Sequence, residues 1–333
     1  MSSAHSLAEA VLAFDRAAAV EHIATTLRDQ IVKQLHRRGA VLGLSGGIDS
    51  TVCAALAVRA LGPERVLGIM MPETHSAGES TPLGQLAADS LGIQTVIEDI
   101  TPVLAGVDCY GRQTRAIQRV VPQFQEGWPF KIVLPSVVDS DAYRIFSLVV
   151  QPPGGEEIRV RLTPTAYLEL VAATNFKQRV RKMIEYYHAD RLVYAVVGTP
   201  NRQEYDQGFF VKNGDGSADT KPIAHLYKTQ VYALAEYLGL PEEIRRRPPT
   251  TDTYSLPQSQ EEFYFSLPYQ QMDECLYARN QGLSPEEAAA RTSLTAEQIT
   301  RVYADIDSKR RTTSYQHERP LLIEPVAGPM PSH

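Results

Sequence analysis

The amino-acid sequence predicts an α/β protein with a doubly wound, mostly parallel sheet and a helical extension at its C-terminal end. Short apolar runs alternate with helix-like segments along most of the chain, which is typical of β-α-β units. A turn with paired glycines directly follows the first apolar run, and helical spacing prevails in the last part of the chain. With 333 residues, 43% of them hydrophobic, the chain is long enough to bury a large core.

The individual elements are predicted from hydrophobic periodicity. Apolar side chains recur at helical spacing from Ala17 to about Arg37, which predicts a long amphipathic helix before the first strand. Four apolar runs predict parallel strands at residues 41–44, 66–70, 94–98 and 192–197. In a parallel sheet of this kind, ligands bind above the carboxyl ends of the strands. The turns that follow the first and the fourth strand should therefore meet at one ligand-binding edge.

Two regions interrupt this pattern. From about residue 110 to residue 164 the helical spacing fades, and a Pro-Pro-Gly-Gly stretch at 152–155 separates two apolar runs, which predicts a β-hairpin or a loop insertion. A second irregular stretch, residues 248–268, is rich in proline and aromatic residues and is a candidate lid, because long irregular segments in compact domains are commonly functional. We assign residues 1–268 to one α/β domain and residues 269–333 to its helical C-terminal extension.

The C-terminal extension has three predicted helices, at residues 269–280, 284–291 and 295–310, with Ser284 and Thr295 as caps. Their arrangement is similar to a helix-turn-helix, but the segment is acidic where a DNA-reading helix needs cations. The formal net charge of −6 also argues against broad nucleic-acid binding. We therefore expect these helices to pack on the domain or on a partner chain.

The composition argues against several other classes. Cys53, Cys109 and Cys275 show no paired spacing, so neither a disulfide framework nor a zinc site is expected. No segment approaches the roughly 18 consecutive apolar residues of a membrane-spanning helix, and the first residues lack a signal-peptide pattern. We expect a cytoplasmic protein that binds neither nucleic acid nor membrane.

The stretch Ser45-Gly46-Gly47-Ile48-Asp49-Ser50 lies between a predicted buried strand and a predicted helix. Glycines let backbone N–H groups approach a phosphate closely, and a helix N-terminus adds partial positive charge. The GxxxxGK[ST] and GxGxxG patterns are both missing here, which argues against a kinase-type loop and against a dinucleotide-redox site. The stretch resembles the pyrophosphate loop of ATP pyrophosphatases. Taken alone, it also fits a structural glycine turn.

A second group of motifs follows the fourth predicted strand. It comprises Gly198-Thr199 with Glu204, the run GFFVKNGDGSAD at 208–219 and the run LYKTQ at 226–230. At these spacings the chain resembles the ammonia-dependent NAD synthetase family, as do NFKQRVR at 175–181 and PTTD at 249–252. The resemblance covers roughly residues 20–110 and 170–311. It implies a fold of the adenine nucleotide α-hydrolase type, and a homodimer.

The resemblance and the chemistry of the side chains imply individual roles. For ATP, the expected contacts are Gly43, Leu44, Ser45, Gly46, Gly47, Ile48, Ser50, Thr199, Lys228 and Thr250. For deamido-NAD, they are Arg179, Lys212, Asp215, Asp219 and Lys309. Asp49 and Glu204 would hold Mg²⁺, which prefers one or two carboxylates plus phosphate oxygens, and Asp49 and Lys228 are the candidate catalytic residues. Taken singly, Asp49 also fits a helix cap, and Glu204 and Lys228 also fit solvated surface positions.

The resemblance implies an amide-forming ligase with ATP as cosubstrate. The carboxylate of deamido-NAD would attack the α-phosphorus of ATP, pyrophosphate would leave, and ammonia would then displace AMP from the acyl adenylate to give NAD. Two alternatives remain open, namely the same chemistry on another carboxylate and a nucleotide-binding or regulatory module without turnover. A third, a tRNA-modifying relative, is disfavoured by the acidic net charge and by the lack of a catalytic cysteine pair. The presence of Asp49, Glu204 and Lys228 together favours an enzyme over such a module.

Overall fold

The computed structural model describes residues 6–137, 146–248, 253–324 and 326. Among these residues, a parallel sheet is formed by β1 (Ala40–Gly43), β2 (Val66–Met70), β3 (Gln94–Ile97) and β7 (Ala195–Val196). The strands lie in the order β3-β2-β1-β7, and all neighbours are parallel. The predicted fold class is confirmed. The chain builds the sheet outward from β1 to β3 and then returns to the other side of β1, so the topological switch point lies between β1 and β7.

Helices connect these strands. The first half of the chain contains α1 (Leu7–Leu12), α2 (Arg16–Arg28), α3 (Ile48–Leu61), α4 (Ser80–Leu91), α5 (Thr101–Gly106) and α6 (Cys109–Gln118). The second half contains α7 (Pro164–Leu192), α8 (Arg202–Gln207), α9 (Lys228–Tyr237), α10 (Glu242–Arg246), α11 (Tyr269–Asn280), α12 (Pro285–Ala289) and α13 (Ala296–His317). Shorter turns are Asp29–Gln34 and Glu261–Phe265, both π-helical, and the 3₁₀ turn Pro63–Arg65.

Both faces of the parallel sheet are buried. Leu42 of β1 points into an apolar cluster shared with α2, α3 and α9, whereas its neighbour Val41 points into a second cluster shared with α5 and α7. Alternate side chains of a strand face opposite sides of the sheet, and a parallel sheet covered by helices on both faces therefore has continuously apolar strands. This explains why β1 and β2 could be predicted from unbroken apolar runs.

The prediction of a strand at 192–197 is wrong in its first part. Leu192 completes α7, Val193 caps that helix in a left-handed conformation with φ 58°, and the strand comprises only Ala195–Val196. An apolar run of this length does not distinguish the buried end of a helix from a strand. Likewise, the irregular region predicted from residue 110 begins with a helix, since α6 continues to Gln118.

The region between α6 and α7 contains an antiparallel sheet of β4 (Phe130–Val133), β5 (Ser147–Val150) and β6 (Ile158–Arg161). Of the two predicted alternatives, the structure shows the hairpin, because β5 and β6 pair antiparallel with Val150 opposite Ile158. The strand β4 was not predicted. We call β4, β5 and β6 the inserted sheet; it packs against the N-terminal half of α7 through an apolar cluster that includes Ile132, Leu148 and Leu170.

The predicted C-terminal helices are present as α11, α12 and α13, the last of which continues seven residues beyond the predicted end, to His317. They pack on the body of the protein through a cluster that joins Leu7 and Val11 of α1 to Met272 and Leu276 of α11. In the described parts of the chain, every helix is either too short or too polar to span a membrane.

Candidate active site

In the glycine-rich turn after β1, only glycine fits at position 46 without strain. Gly46 has φ +71°, and a Cβ atom there would lie 2.6 Å from the Leu83 Cβ and 2.8 Å from the Ser80 carbonyl oxygen. The Ser45 hydroxyl accepts a hydrogen bond from the Gly47 N–H at 3.2 Å and lies 3.2 Å from the Ser50 hydroxyl. Gly47 precedes α3, so this loop places two hydroxyls at the N-terminus of a helix, where an anion is stabilised.

A cavity of about 770 Å³ opens at the switch point of the sheet. Its wall includes residues from the turn after β1 and from the turn after β7, so the prediction that these two turns share one edge is confirmed. Most of the residues expected to bind ATP line this cavity, namely Gly43, Leu44, Ser45, Gly47, Ile48, Ser50, Thr199 and Lys228. Gly46 is not part of the cavity wall, but its backbone conformation allows the turn to form. Thr250 lies outside the described residues.

A buried ion pair joins the two candidate catalytic residues. The Lys228 ammonium is in contact with the Asp49 carboxylate, and Lys228 is 1% exposed. The Asn201 side chain donates a second hydrogen bond to Asp49, at 3.2 Å. Burial alone would lower the pKa of Lys228, but the charges of Asp49 and Glu204 outweigh it and raise this pKa above its ordinary value. Lys228 is therefore a fixed positive charge beside the phosphate loop.

Glu204 belongs to the same cluster of charges, since it interacts electrostatically with both Asp49 and Lys228. Its Oε2 accepts a hydrogen bond from the Asn201 N–H at 3.0 Å, and its Oε1 accepts one from the Gln260 amide at 2.9 Å. Burial, and next the negative charge of Asp49, raise the pKa of the Glu204 carboxyl well above its usual range. A divalent cation would relieve this repulsion between two carboxylates.

The donor set fits Mg²⁺ better than a transition metal. Within residues 6–137, 146–248 and 253–324, no group of three or more His, Cys, Asp or Glu side chains is arranged to hold a metal ion. Mg²⁺ commonly takes one or two carboxylates and completes its coordination with waters and phosphate oxygens. Asp49 and Glu204, beside a phosphate loop, are a donor set of that composition.

The residues expected to bind deamido-NAD fall into two groups. Asp215 and Lys309 line the cavity; Asp215 accepts a hydrogen bond from the Val211 N–H at 2.8 Å, and Lys309 forms an ion pair with Asp305 at 2.7 Å. Burial raises the pKa of the Asp215 carboxyl. A pair of aromatic side chains, Phe209 and Tyr264, stacks at 4.6 Å between ring centroids in the same part of the wall.

Arg179, Lys212 and Asp219 do not belong to the cavity wall. The Arg179 guanidinium donates to the Lys212 carbonyl at 3.3 Å, and the Lys212 ammonium donates to the Tyr315 carbonyl at 2.6 Å. The Asp219 carboxylate accepts the Val196 N–H at 2.7 Å and so holds the end of β7. In this structure the three side chains make structural contacts near the site without facing the cavity.

Several polar residues of the site were not found from the sequence. Lys182 and Glu185 form a buried ion pair at 2.6 Å in the cavity wall, and Lys177 donates to Glu73 at 2.9 Å. The pair on α7 has the i, i+3 spacing of helical ion pairs, which is a local signal. Asn201 also had a local signal in the sequence, because Asn followed by Glu three residues later is a capping-box pattern. Lys177 and Glu73 are far apart in sequence and had no such signal.

A phosphate loop, a buried cation and two carboxylates at the switch point of a parallel sheet indicate a nucleotide-binding α/β enzyme. Comparison with known proteins narrows this class. The model of the family described as NAD synthase matches residues 19–121 and 156–320. The NH(3)-dependent NAD(+) synthetase of Mesorhizobium japonicum is 59% identical over 312 residues, which are 94% of this chain and 98% of that protein. The chain belongs to the NAD synthase family.

A more distant relative agrees with this assignment, and two solved structures share the fold. The NH(3)-dependent NAD(+) synthetase of Thermotoga maritima is 34% identical over 259 residues, covering 77% of this chain and 86% of that protein. The solved structure of the NMN synthetase from Francisella tularensis has a TM-score of 0.63 at 22% identity and covers 93% of this chain and 98% of that one. The NH3-dependent NAD synthetase from Campylobacter jejuni has a TM-score of 0.61 at 22% identity, with coverages of 93% and 100%. At these identities the structural likeness concerns the fold.

Proposed function

We infer that this protein is a ligase that uses ATP and ammonia to convert the carboxylate of deamido-NAD into the amide of NAD, with release of AMP and pyrophosphate. The observation that carries this inference is the juxtaposition of the phosphate loop with the Asp49–Lys228 pair and Glu204 at the β1/β7 edge, in a chain of the NAD synthase family. An acyl-adenylate route needs no covalently modified side chain. The site therefore works by positioning and by electrostatic stabilisation.

The first step joins the substrate carboxylate to AMP. A carboxylate oxygen attacks the α-phosphorus, and the bond from that phosphorus to the bridging oxygen breaks, so that pyrophosphate leaves with the electron pair. The N-terminus of α3 and the hydroxyls of Ser45 and Ser50 would hold the departing phosphates; their closeness to one another supports this role. The buried ammonium of Lys228 compensates the negative charge that accumulates on them.

The second step forms the amide. Ammonia attacks the acyl carbon, the bond to AMP breaks, and AMP leaves with that electron pair while a proton is lost from nitrogen.

Asp49 and Glu204 would hold Mg²⁺, which when bound neutralises phosphate charge and orients the triphosphate. The support for this assignment is the pair of neighbouring carboxylates described above, one of which has a pKa raised by burial and by the other's charge.

We also propose that the protein is a homodimer that associates through α7. Arg179, Met183 and Tyr187 recur every four residues on one face of this helix, and Met183 and Tyr187 are 54% and 60% exposed. Arg, Met and aromatic residues are enriched in protein–protein interfaces. In such a dimer Arg179 would reach a ligand at the interface although it does not face the cavity of its own chain. Sedimentation of the wild type and of a Met183→Glu/Tyr187→Glu variant tests this, and a monomeric wild type would refute it.

One assay tests the overall function. Purified protein is supplied with ATP, Mg²⁺ and deamido-NAD, with either ammonium or glutamine as nitrogen source, and NAD, AMP and pyrophosphate are quantified. We expect equal amounts of the three products with ammonium. If deamido-NAD does not react but another carboxylate supports exchange of pyrophosphate into ATP, the substrate is that other carboxylate. No turnover at all would favour a binding module.

We further propose a cytoplasmic location, which cell fractionation tests.

A further inference from the structure

We propose that Gln260 is a positioning residue for Glu204, and that the inserted sheet holds Gln260 in the place where it performs this role. The Gln260 side-chain amide donates a hydrogen bond of 2.9 Å to Glu204 Oε1. This inference rests on the proposed Mg²⁺ site, to which Glu204 contributes one carboxylate. Gln260 itself does not touch phosphate or substrate in the argument that follows; it acts through Glu204.

The two oxygens of Glu204 are held by different parts of the chain. Oε2 accepts the N–H of Asn201, three residues earlier, within the capping box of α8. Oε1 accepts the amide of Gln260, which is 56 residues later in the sequence. The local bond forms whenever α8 forms, but by itself it leaves the carboxylate free to rotate. With both bonds the plane of the carboxylate is set, and about two of its roughly four lone-pair positions stay available for a cation.

The segment that carries Gln260 is attached to β4 along its length. Residues 255–262 run beside this strand on the edge that β5 does not occupy. Hydrogen bonds to β4 and to the residue that follows it include the Leu256 N–H to the Phe130 carbonyl at 3.1 Å, the Leu134 N–H to the Glu262 carbonyl at 3.0 Å and the Gln258 amide to the Ile132 carbonyl. The Lys131 ammonium also forms an ion pair with the Glu262 carboxylate at 3.0 Å. Tyr254 and Phe263 also contribute to the apolar cluster of the inserted sheet.

This support lies in a part of the chain that the family pattern does not include. The NAD synthase model matches residues up to 121 and again from 156, so that both β4 and β5 fall between the matched ranges. Gln260 and Glu204 are within the matched ranges, whereas the strand that fastens the Gln260 segment is not. The inserted sheet therefore supplies, from outside the ranges that the family model matches, a support that holds a proposed ligand of the metal in a defined orientation.

The metal requirement of nucleotide binding tests this inference without turnover. The full-length protein is titrated calorimetrically with the ATP analogue that carries a methylene between the α- and β-phosphates, at a series of Mg²⁺ concentrations. Gln260→Met keeps the side-chain volume and removes the donor, and we expect it to raise the half-saturating Mg²⁺ concentration about tenfold, as loss of an outer hydrogen bond commonly does. Gln270→Met on the exposed surface of α11 is the matched control, with an expected change of less than about twofold.

A Gln258→Met variant tests the role of the inserted sheet. It removes a contact to β4 and leaves Gln260 in the sequence, so we expect the half-saturating Mg²⁺ concentration to rise, but by less than in Gln260→Met.

An unchanged Mg²⁺ requirement in Gln260→Met overturns the inference. Glu204→Gln separates this from failure of the metal site: if Glu204→Gln raises the Mg²⁺ requirement and Gln260→Met does not, only the role of Gln260 is wrong. If neither does, the metal assignment is wrong as well. Should Gln260→Met not fold, Gln260→Asn, whose amide is one methylene too short, replaces it.

Discussion

The carboxylate of Asp273 accepts hydrogen bonds from the backbone N–H groups of Lys228 and Thr229, at 3.1 and 2.7 Å. Lys228 is the first residue of α9, and Tyr227 before it provides no side-chain cap, so a residue of the C-terminal extension caps the helix that carries this candidate catalytic lysine. The same carboxylate accepts the Gln203 amide at 2.7 Å, next to Glu204. One buried side chain of α11 thereby fixes two helices of the candidate active site.

Replacement of Asp273 should affect stability and activity together. In Asp273→Ala, two helix N–H groups and one amide lose their buried acceptor, which we expect to cost about 2–3 kcal/mol of unfolding free energy. Turnover should fall as well, because α9 no longer holds Lys228 in place. Urea unfolding and the NAD assay measure the two effects. Asp29→Asn, which removes an exposed pair with Lys33, is the control and should change stability by less than about 0.5 kcal/mol. Wild-type stability of Asp273→Ala would contradict this role.

Asp49→Asn should nearly abolish activity. The change removes the partner of the buried Lys228 ammonium and one proposed ligand of Mg²⁺. A preorganised charge at such a site is commonly worth about 10²–10³-fold in rate, so we expect a loss of at least this size in kcat. The exposed Asp190 at the end of α7 provides the control, since Asp190→Asn leaves the site intact. Steady-state rates with saturating ATP and ammonium give the comparison, and full activity of Asp49→Asn would refute both assignments.

Lys228→Met should slow adenylation more than it weakens nucleotide binding. Lys228 is 1% exposed and its ammonium contacts Asp49, so its positive charge is little screened by water. We expect this charge to act mainly on the phosphate charge that develops in the transition state. We expect exchange of labelled pyrophosphate into ATP, measured with deamido-NAD present, to fall by about 10²-fold or more. The dissociation constant of ATP should change far less. An equal loss in both quantities would mean that Lys228 contributes to uniform binding only.

Gly46→Ala should disable the phosphate loop, and Gly92→Ala provides an unusually close control. Both glycines have positive φ, +71° and +66°, so alanine strains the backbone at either position by about 1–2 kcal/mol. Only at Gly46 does the added Cβ also meet other atoms, at 2.6 Å from Leu83 and 2.8 Å from Ser80. We expect both variants to lose stability in thermal unfolding, but only Gly46→Ala to lose ATP affinity. Equal ATP affinities would show that the turn tolerates the contact.

His75 should make the protein sensitive to acid. Its Nδ1 lies 3.0 Å from the Lys177 ammonium, and burial, followed by this positive charge, lowers its pKa from 6.5 to about 4. Between those pH values the unfolded chain binds a proton that the folded protein does not, so stability falls as the pH falls. Relative to His75→Gln, the wild type should lose on the order of 3 kcal/mol between pH 7 and pH 4. Urea unfolding across this range measures the difference, and parallel stability curves would contradict it.

The sequence alone determined those features that depend on neighbouring residues. The strands β1 and β2, the glycine turn and the helix α12 follow from apolar runs, turn residues and a cap that lie next to one another in the chain. The phosphate-binding character of the turn also has a local cause, since glycine conformations and a helix N-terminus are properties of adjacent residues. Where a local pattern fits two structures, as at Leu192, the prediction went wrong.

Only the tertiary structure decided which distant residues meet. Gln260 reaches Glu204 across 56 residues, Asp273 reaches Lys228 across 45, and Lys177 reaches Glu73 across 104. No periodicity or spacing encodes such pairs, because each depends on how whole elements pack. The structure likewise placed Asp215 and Lys309 in the cavity wall and Arg179, Lys212 and Asp219 outside it. The proposed phosphate loop could therefore be predicted from the sequence, whereas the contacts that orient the candidate catalytic residues depend on packing over the whole fold.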